Sequence, residues 1–210
     1  NATDTFVYTI KDGDGDLSTT TLTINLNDVT LAASDNDALV NEAGLPAGTA
    51  NDDSDIFTTG QITVSGGTGP YTYAITGSGG SNLGTINLNT GTGEYTYTLN
   101  TPFDGPDANN STNTEDNKQS FSYTVTDANG NTSATGTIFV DVIDDVPTAY
   151  ANSNTVVEGA TVTGNLLTDG TADVFGADGA AVTAPVGGIT GIRAAGADTT
   201  TAVTNGVTVV

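Results

Sequence analysis

The sequence has no cysteine, methionine, tryptophan or histidine, and its basic side chains are only Lys11, Lys118 and Arg193. Without cysteine there is no disulfide, so a form working outside the cell needs another staple, and bound metal is one option. Without histidine and cysteine there is no Ser-His-Asp or Cys-His arrangement and no ordinary zinc site. The shortage of bases is matched by 25 acidic residues, for a net charge of −22. Nucleic acid and anionic membrane are disfavoured, since both need a basic footprint. Self-repulsion of this size opposes a compact state unless cations bind. No apolar run nears the length of a membrane span, and neither end carries signal-peptide patterning. The pattern is cut at both ends, so the chain reads as a piece of something longer.

What is present begins with a repeat. The stretch "FVYTIKDGDGDLSTTTLTINLNDV" (6–29) matches "FSYTVTDANGNTSATGTIFVDVIDDV" (121–146). Phe6 aligns with Phe121, Tyr8 with Tyr123, Asp12 with Asp127, Gly15 with Gly130 and Ser18 with Ser133, an offset of 115 residues. The offset grows to 117 at the Asp-Val pair, which implies small insertions. The unit is therefore about 116 residues long. Residues 1–28 read as the end of one unit, 29–146 as a complete unit, and 147–210 as the opening of a third.

Hydrophobic residues make up 36% of the chain, and with its 27 glycines the apolar share suits a protein with a core. Their period is two. "FVYTI", "TLTINL", "QITV", "YTYAI", "GTINL", "EYTYTL", "FSYTV" and "TIFVDV" alternate apolar or aromatic residues with Thr, Ser or Asn. Gly, Asn and Asp clusters such as "SGGTG", "TGSGGS" and "NTGTGE" separate them as turns. No stretch sustains a helical period. The fold class expected is all-β, with a seven-stranded antiparallel immunoglobulin-like sandwich for the middle unit, its first strand near Ala38–Val40. A barrel is the alternative. Residues 101–119 read as a long irregular loop.

The acidic residues gather at the unit junctions. "DGDGD" (12–16) alternates three aspartates with two glycines, and hard cations such as calcium take six to eight oxygens from such turns. It is not an EF-hand, which would need Gly at Leu17 and Glu at Thr23. The first junction collects Asp12, Asp14, Asp16, Asp28, Asp35, Asp37 and Glu42, and the second Asp127, Asn129, Asn131, Asp144, Asp145 and Glu158. A strand of about eight residues spans roughly 25 Å, so the hairpin loop and the linker are separate candidate sites. In the linker, Asp28 or Asp144 and Asp145 are expected to meet a glutamate of the following unit. "TDGTADVFGADG" adds Asp169, Asp173 and Asp178 at irregular spacing, and "NDDSD" (51–55) reads more simply as a solvated face. At Asn129 and Asn131 amides replace carboxylates, so that loop is expected to bind calcium more weakly than residues 12–16.

"VNEAGLPAGT", "GEYTYTL", "FSYTVTDANGNTSATGTIFVDVIDDVPTA" and "VVEGATVTGNLLTDGTADVFGADGAAVT", taken in order, resemble the tandem repeats of giant RTX adhesins. These are secreted by type I systems of Gram-negative bacteria, and the likeness is to their VCBS-type and related immunoglobulin-like repeats. The resemblance implies calcium-stiffened sandwiches in series at the bacterial cell surface, carrying a binding tip outward for adhesion and biofilm formation. The partners it implies are neighbouring repeats of the same chain and calcium ions. It also suits the missing cysteines, because a chain secreted unfolded and folded by calcium outside has no use for disulfides.

Two rival functions differ in class. A carboxylate-pair glycosidase would draw on Glu42, Glu94, Glu115 and Glu158, none of which has a recognisable catalytic context. A carbohydrate- or protein-binding module would use Tyr71 and Tyr73, or Tyr95 and Tyr97, which share strand faces and could stack on sugars if exposed. A third alternative is a filament subunit, in which the end strands of one chain complete the opening half of an identical one.

Overall fold

The computed structural model describes residues 2–26, 30–52, 55–105, 113–181, 188–193 and 206–208. Asp28, and parts of "NDDSD", of the 101–119 loop and of the last segment, lie outside the described residues. Among those residues the protein is all-β, and the only helical turn is a 3-10 turn at Glu42–Gly44.

β1 (Ala2–Lys11) and β2 (Leu17–Leu26) form an antiparallel hairpin whose register runs from Ala2↔Leu26 to Lys11↔Leu17. Phe6 lies directly opposite Leu22, and the period of two puts Tyr8, Ile10, Ile24 and Leu26 on the same face of the hairpin. All six are exposed.

The middle unit contains β3 (Ala32–Ser34), β4 (Ala38–Asn41), β5 (Phe57–Gln61), β6 (Thr63–Ser65), β7 (Thr72–Gly80), β8 (Gly84–Leu88), β9 (Glu94–Leu99), β10 (Thr114–Thr126) and β11 (Gly136–Ile143). One sheet has the order β4-β11-β10-β7 and another β5-β9-β8. β3 pairs with β6, which continues β5 after Ile62 alone. Alternation decides which face is buried. Phe121, Tyr123 and Val125 of β10, Ile138, Val140 and Val142 of β11, and Tyr95, Tyr97 and Leu99 of β9 enter one core shared by both sheets. The intervening Thr and Ser residues face outward or stay half-buried. A one-residue slip would turn each inward side chain out, at about 1.5–3 kcal/mol apiece, which fixes the register.

Core tyrosines also cover glycines. Tyr95 lies opposite Gly60, and Tyr123 opposite Gly136, in the strand registers. A Cβ built on either glycine would sit 2.2 or 2.3 Å from the ring. Glycine there is a packing requirement, with the aromatic ring filling the space that a side chain would occupy.

Three local expectations change. β4 runs parallel to β11, so the sandwich is not wholly antiparallel. Residues 114–119 belong to β10, because Gln119 pairs with Val140 and Gly80 and turns its buried amide to the Leu83 and Gly84 N–H groups. The glycines at 77–80 continue β7 along β10 across a register shift between Ser122 and Tyr123, where a turn was expected.

Beyond Pro147 the described segment is sparsely packed. A bridge joins Thr148 to Val174, and β12 (Gly191–Arg193) pairs parallel with β13 (Gly206–Thr208). Residues 147–166 are exposed, whereas Gly176 and Ala177 are buried, and Ala177 joins the core cluster of the middle unit.

Candidate metal centre

Among the described residues, two groups of carboxylates bring oxygens within 4.8 Å of one another, Asp12 with Asp14 and Asp16, and Glu42 with Asp144 and Asp178. They differ in how their charges are handled.

The first group is exposed. Asp12 N–H donates to the Asp16 carbonyl at 3.0 Å, closing the hairpin loop. Asp12 Oδ1 accepts from the N–H groups of Gly15 at 3.0 Å and Asp16 at 2.8 Å. A side-chain hydrogen bond with Asp14, then these backbone donors, hold the Asp12 carboxyl below its usual pKa. The aspartate therefore has a local reason to be there, as a turn-capping acceptor.

The aligned loop at 127–131 has the same build. Asp127 N–H donates to the Asn131 carbonyl at 2.9 Å, and Gly15 and Gly130 both have positive φ. Asp127 Oδ1 accepts from Asn129 N–H and Asn131 N–H, and Oδ2 from Thr68 N–H and the Asn131 amide. Burial pulls the Asp127 pKa upward, but the donors of Asn131, Thr68 and Asn129 outweigh it and leave the pKa low. Asn129 and Asn131 thus act here as loop donors.

The second group is built by the parallel ladder. Asn41 of β4 pairs with Ile143 of β11, so the next residues, Glu42 and Asp144, emerge at the same end. Asn41 caps the 3-10 turn by accepting Ala43 N–H at 3.0 Å, which holds Glu42 in its first position. Asp178 arrives from the segment after Pro147, beside buried Ala177. Glu42 is 0% exposed. Its Oε1 accepts the Phe103 N–H, while its Oε2 is buried and has no hydrogen-bond partner. Phe103 is itself braced, with the Lys118 ammonium 4.6 Å from its ring centre and paired with Glu115 at 2.7 Å.

Burial raises the Glu42 pKa most. The Phe103 N–H opposes this, and the charges of Asp178 and Asp144 add to it, giving a value of about 7. Asp178 is raised too, by desolvation and then by Asp104, Asp144 and Asp145. An ionised carboxylate with a bare buried oxygen costs several kcal/mol, so Glu42 must take up a proton or a cation. An all-carboxylate donor set is hard, matching calcium or magnesium rather than a soft metal. The residues fit such an ion.

The other expected ligands fall elsewhere. Asp145 is buried and accepts from Thr49 and Ala177. Asp169 accepts Asn165 N–H at 2.6 Å and Asp173 accepts Tyr150 N–H at 2.7 Å. Asp35 accepts the Tyr123 hydroxyl at 2.7 Å and Asp37 the Phe139 N–H at 3.0 Å. Glu158 is exposed. The glutamate that meets Asp144 is therefore Glu42, and the segment after Pro147 contributes Asp178. Sequence reasoning did not pair these two, and it missed Phe103 and Thr49 altogether. The tyrosines form no exposed stripe. Tyr73, Tyr95 and Tyr97 are buried, and the Tyr71 hydroxyl donates to the Gly66 carbonyl at 2.9 Å.

No protein-family model matches the chain, and no curated protein matches it.

Proposed function

We propose that the chain is a stretch of immunoglobulin-like repeats from a secreted bacterial cell-surface adhesin, in which calcium stiffens the junctions between repeats. It acts as an extender for adhesion and biofilm formation and is not an enzyme. The observation that carries this reading is the bare, buried Oε2 of Glu42, converging with Asp144 and with Asp178 from across the linker. An ion held there would tie both sides of the junction to one point.

Strand order supports the immunoglobulin-like reading. β7, β10 and β11 take the places of strands C, F and G, and β8 and β9 those of D and E. β3 and β4 split the first strand between the sheets. The net charge of −22 supports a cation partner drawn from solvent.

Calorimetric titration of the chain with calcium, with small-angle scattering in parallel, tests the proposal. Binding at about 10⁻⁴–10⁻³ M is expected, as in extracellular modules. It should stiffen the particle and be lost in Glu42→Gln and Asp178→Asn. Binding that both variants leave unchanged, or scattering that calcium does not alter, overturns the reading.

One observation favours a second reading, a filament of identical chains. The apolar face of β1 and β2 is uncovered, and it corresponds in sequence to the face that β10 and β11 bury.

A further inference from the structure

Asp144 and Asp145 are neighbours with the same side chain, yet their surroundings differ. We propose that Asp145 is a metal-independent strut that fixes residues 174–178 onto the middle sandwich, leaving Asp144 to serve the ion. The role of Asp144 rests on the junction reading above; that of Asp145 does not.

The Asp145 carboxylate is 6% exposed, and protein donors reach both of its oxygens. Oδ2 accepts the Thr49 N–H at 2.9 Å and the Ala177 N–H at 3.0 Å, and Oδ1 accepts the Thr49 hydroxyl. Charge-assisted bonds of this kind occupy the lone pairs of a buried carboxylate without a cation. Glu42, by contrast, has an oxygen with no donor. Successive side chains of an extended chain point to opposite sides, which lets two adjacent aspartates face different partners.

Both partners of Asp145 are held in place. Thr49 sits in a turn closed by Gly48 N–H to the Leu45 carbonyl and by Ala50 N–H and Asn51 N–H to the Ala43 carbonyl. On the far side, Gly176 has φ +83°, and a Cβ there would lie 3.2 Å from Asp145 Oδ2. Glycine thus allows the backbone to come close enough for Ala177 to donate. Two further bonds between Thr148 and Val174, at 2.8 and 3.0 Å, continue the contact. Asp178 follows Ala177 directly, so the strut also sets where this carboxylate stands beside Glu42.

The test is amide hydrogen exchange of the whole chain in EDTA, read at Thr49 and Ala177, with Val140 as a core reference. The native protein should protect both amides without calcium. Asp145→Asn and Thr49→Val should each speed exchange at Ala177 at least tenfold while Val140 is unchanged. Thr49→Ser should restore protection, and Asp144→Asn should leave it as in the native chain. Ala177 unprotected in the native chain in EDTA, or protected equally in Thr49→Val, overturns the strut. Should Asp145→Asn unfold the sandwich, Thr49→Val decides alone, because it leaves Asp145 in place. Calcium binding that fails with Ala177 still protected removes the ion reading and keeps the strut.

Discussion

Asn41 pairs with Ile143 across the parallel β4–β11 ladder, and this register puts Glu42 and Asp144 at one end of the sandwich. In an antiparallel pair the chain ends leave in opposite directions. Here both strands leave together, so two acidic residues more than 100 positions apart share one small volume, into which Asp178 also projects.

That geometry gives Glu42→Gln opposite effects in the two metal states. Without calcium the substitution removes a buried charge repelled by Asp144 and Asp178, and should stabilise the protein by about 1 kcal/mol at pH 7.5. With calcium it removes a ligand. The native chain should gain about 2.7 kcal/mol at a hundredfold excess over the dissociation constant, and the variant almost nothing. Thermal melts of both proteins in EDTA and in calcium should therefore cross. Parallel shifts in the two proteins would place the ion elsewhere.

The pH dependence follows from the same group. The Glu42 pKa is raised from 4.5 to about 7, so the folded state binds more protons than the unfolded state between these values. Stability in EDTA should then fall as pH rises from about 5 through 7, by about 1–2 kcal/mol after solvent screening. The groups facing Glu42 are the Asp144 and Asp178 carboxylates, which add to the shift, and the Phe103 and Asp145 backbone N–H groups, which oppose it. Calcium should flatten the slope and bind more tightly at higher pH, where no proton competes. Denaturant titrations at pH 5, 6, 7 and 8 measure both. A rise in EDTA stability from pH 5 to 7 would contradict this assignment.

The strands were legible in the sequence because period two is local. "GTINL" and "EYTYTL" coincide with β8 and β9, and the 115-residue offset returns as two like-built loops at Asp12 and Asp127. Two things were not legible. A parallel contact between β4 and β11 leaves no local pattern, so the sequence grouped Glu42 with the first junction and did not bring it to Asp144. A carboxylate that caps its own turn, such as Asp127, looks in sequence like one awaiting a metal, and only the N–H groups around it tell the two apart.

The two hairpin loops should therefore respond unequally to mutation. Asp127→Ala strips an acceptor from Thr68, Asn129 and Asn131 in a loop that packs on the sandwich. It should lower the melting temperature by the same amount in EDTA and in calcium. Asp12→Ala lies in an exposed loop whose N–H groups water can reach, and should cost less. A larger loss for Asp127→Ala in calcium than in EDTA would mean that this loop binds the ion.

The face formed by Phe6, Tyr8, Ile10, Leu22, Ile24 and Leu26 should drive association if identical chains complete one another. Sedimentation velocity should then show species that grow with concentration and vanish in Leu22→Ser/Ile24→Ser. A monomer at all concentrations would eliminate the filament reading and leave the extender.

Tyr123 and Gly136 oppose each other on β10 and β11. The Tyr123 ring occupies the space beside the glycine, and its hydroxyl donates to Asp35 Oδ2 at 2.7 Å. Anchored at that end and fully buried, the ring cannot swing aside for a new methyl group 2.3 Å from its Cζ. Gly136→Ala should therefore destabilise by about 1–3 kcal/mol, although alanine ordinarily suits a strand better than glycine. The cost belongs to the pair. With Tyr123→Leu in the background the ring is gone, and the same alanine should be neutral or mildly stabilising. A double-mutant cycle by urea denaturation reads the coupling, expected at about 1–2 kcal/mol. Strict additivity of the two substitutions would mean that strand propensity, and not the ring above it, selects glycine at this position.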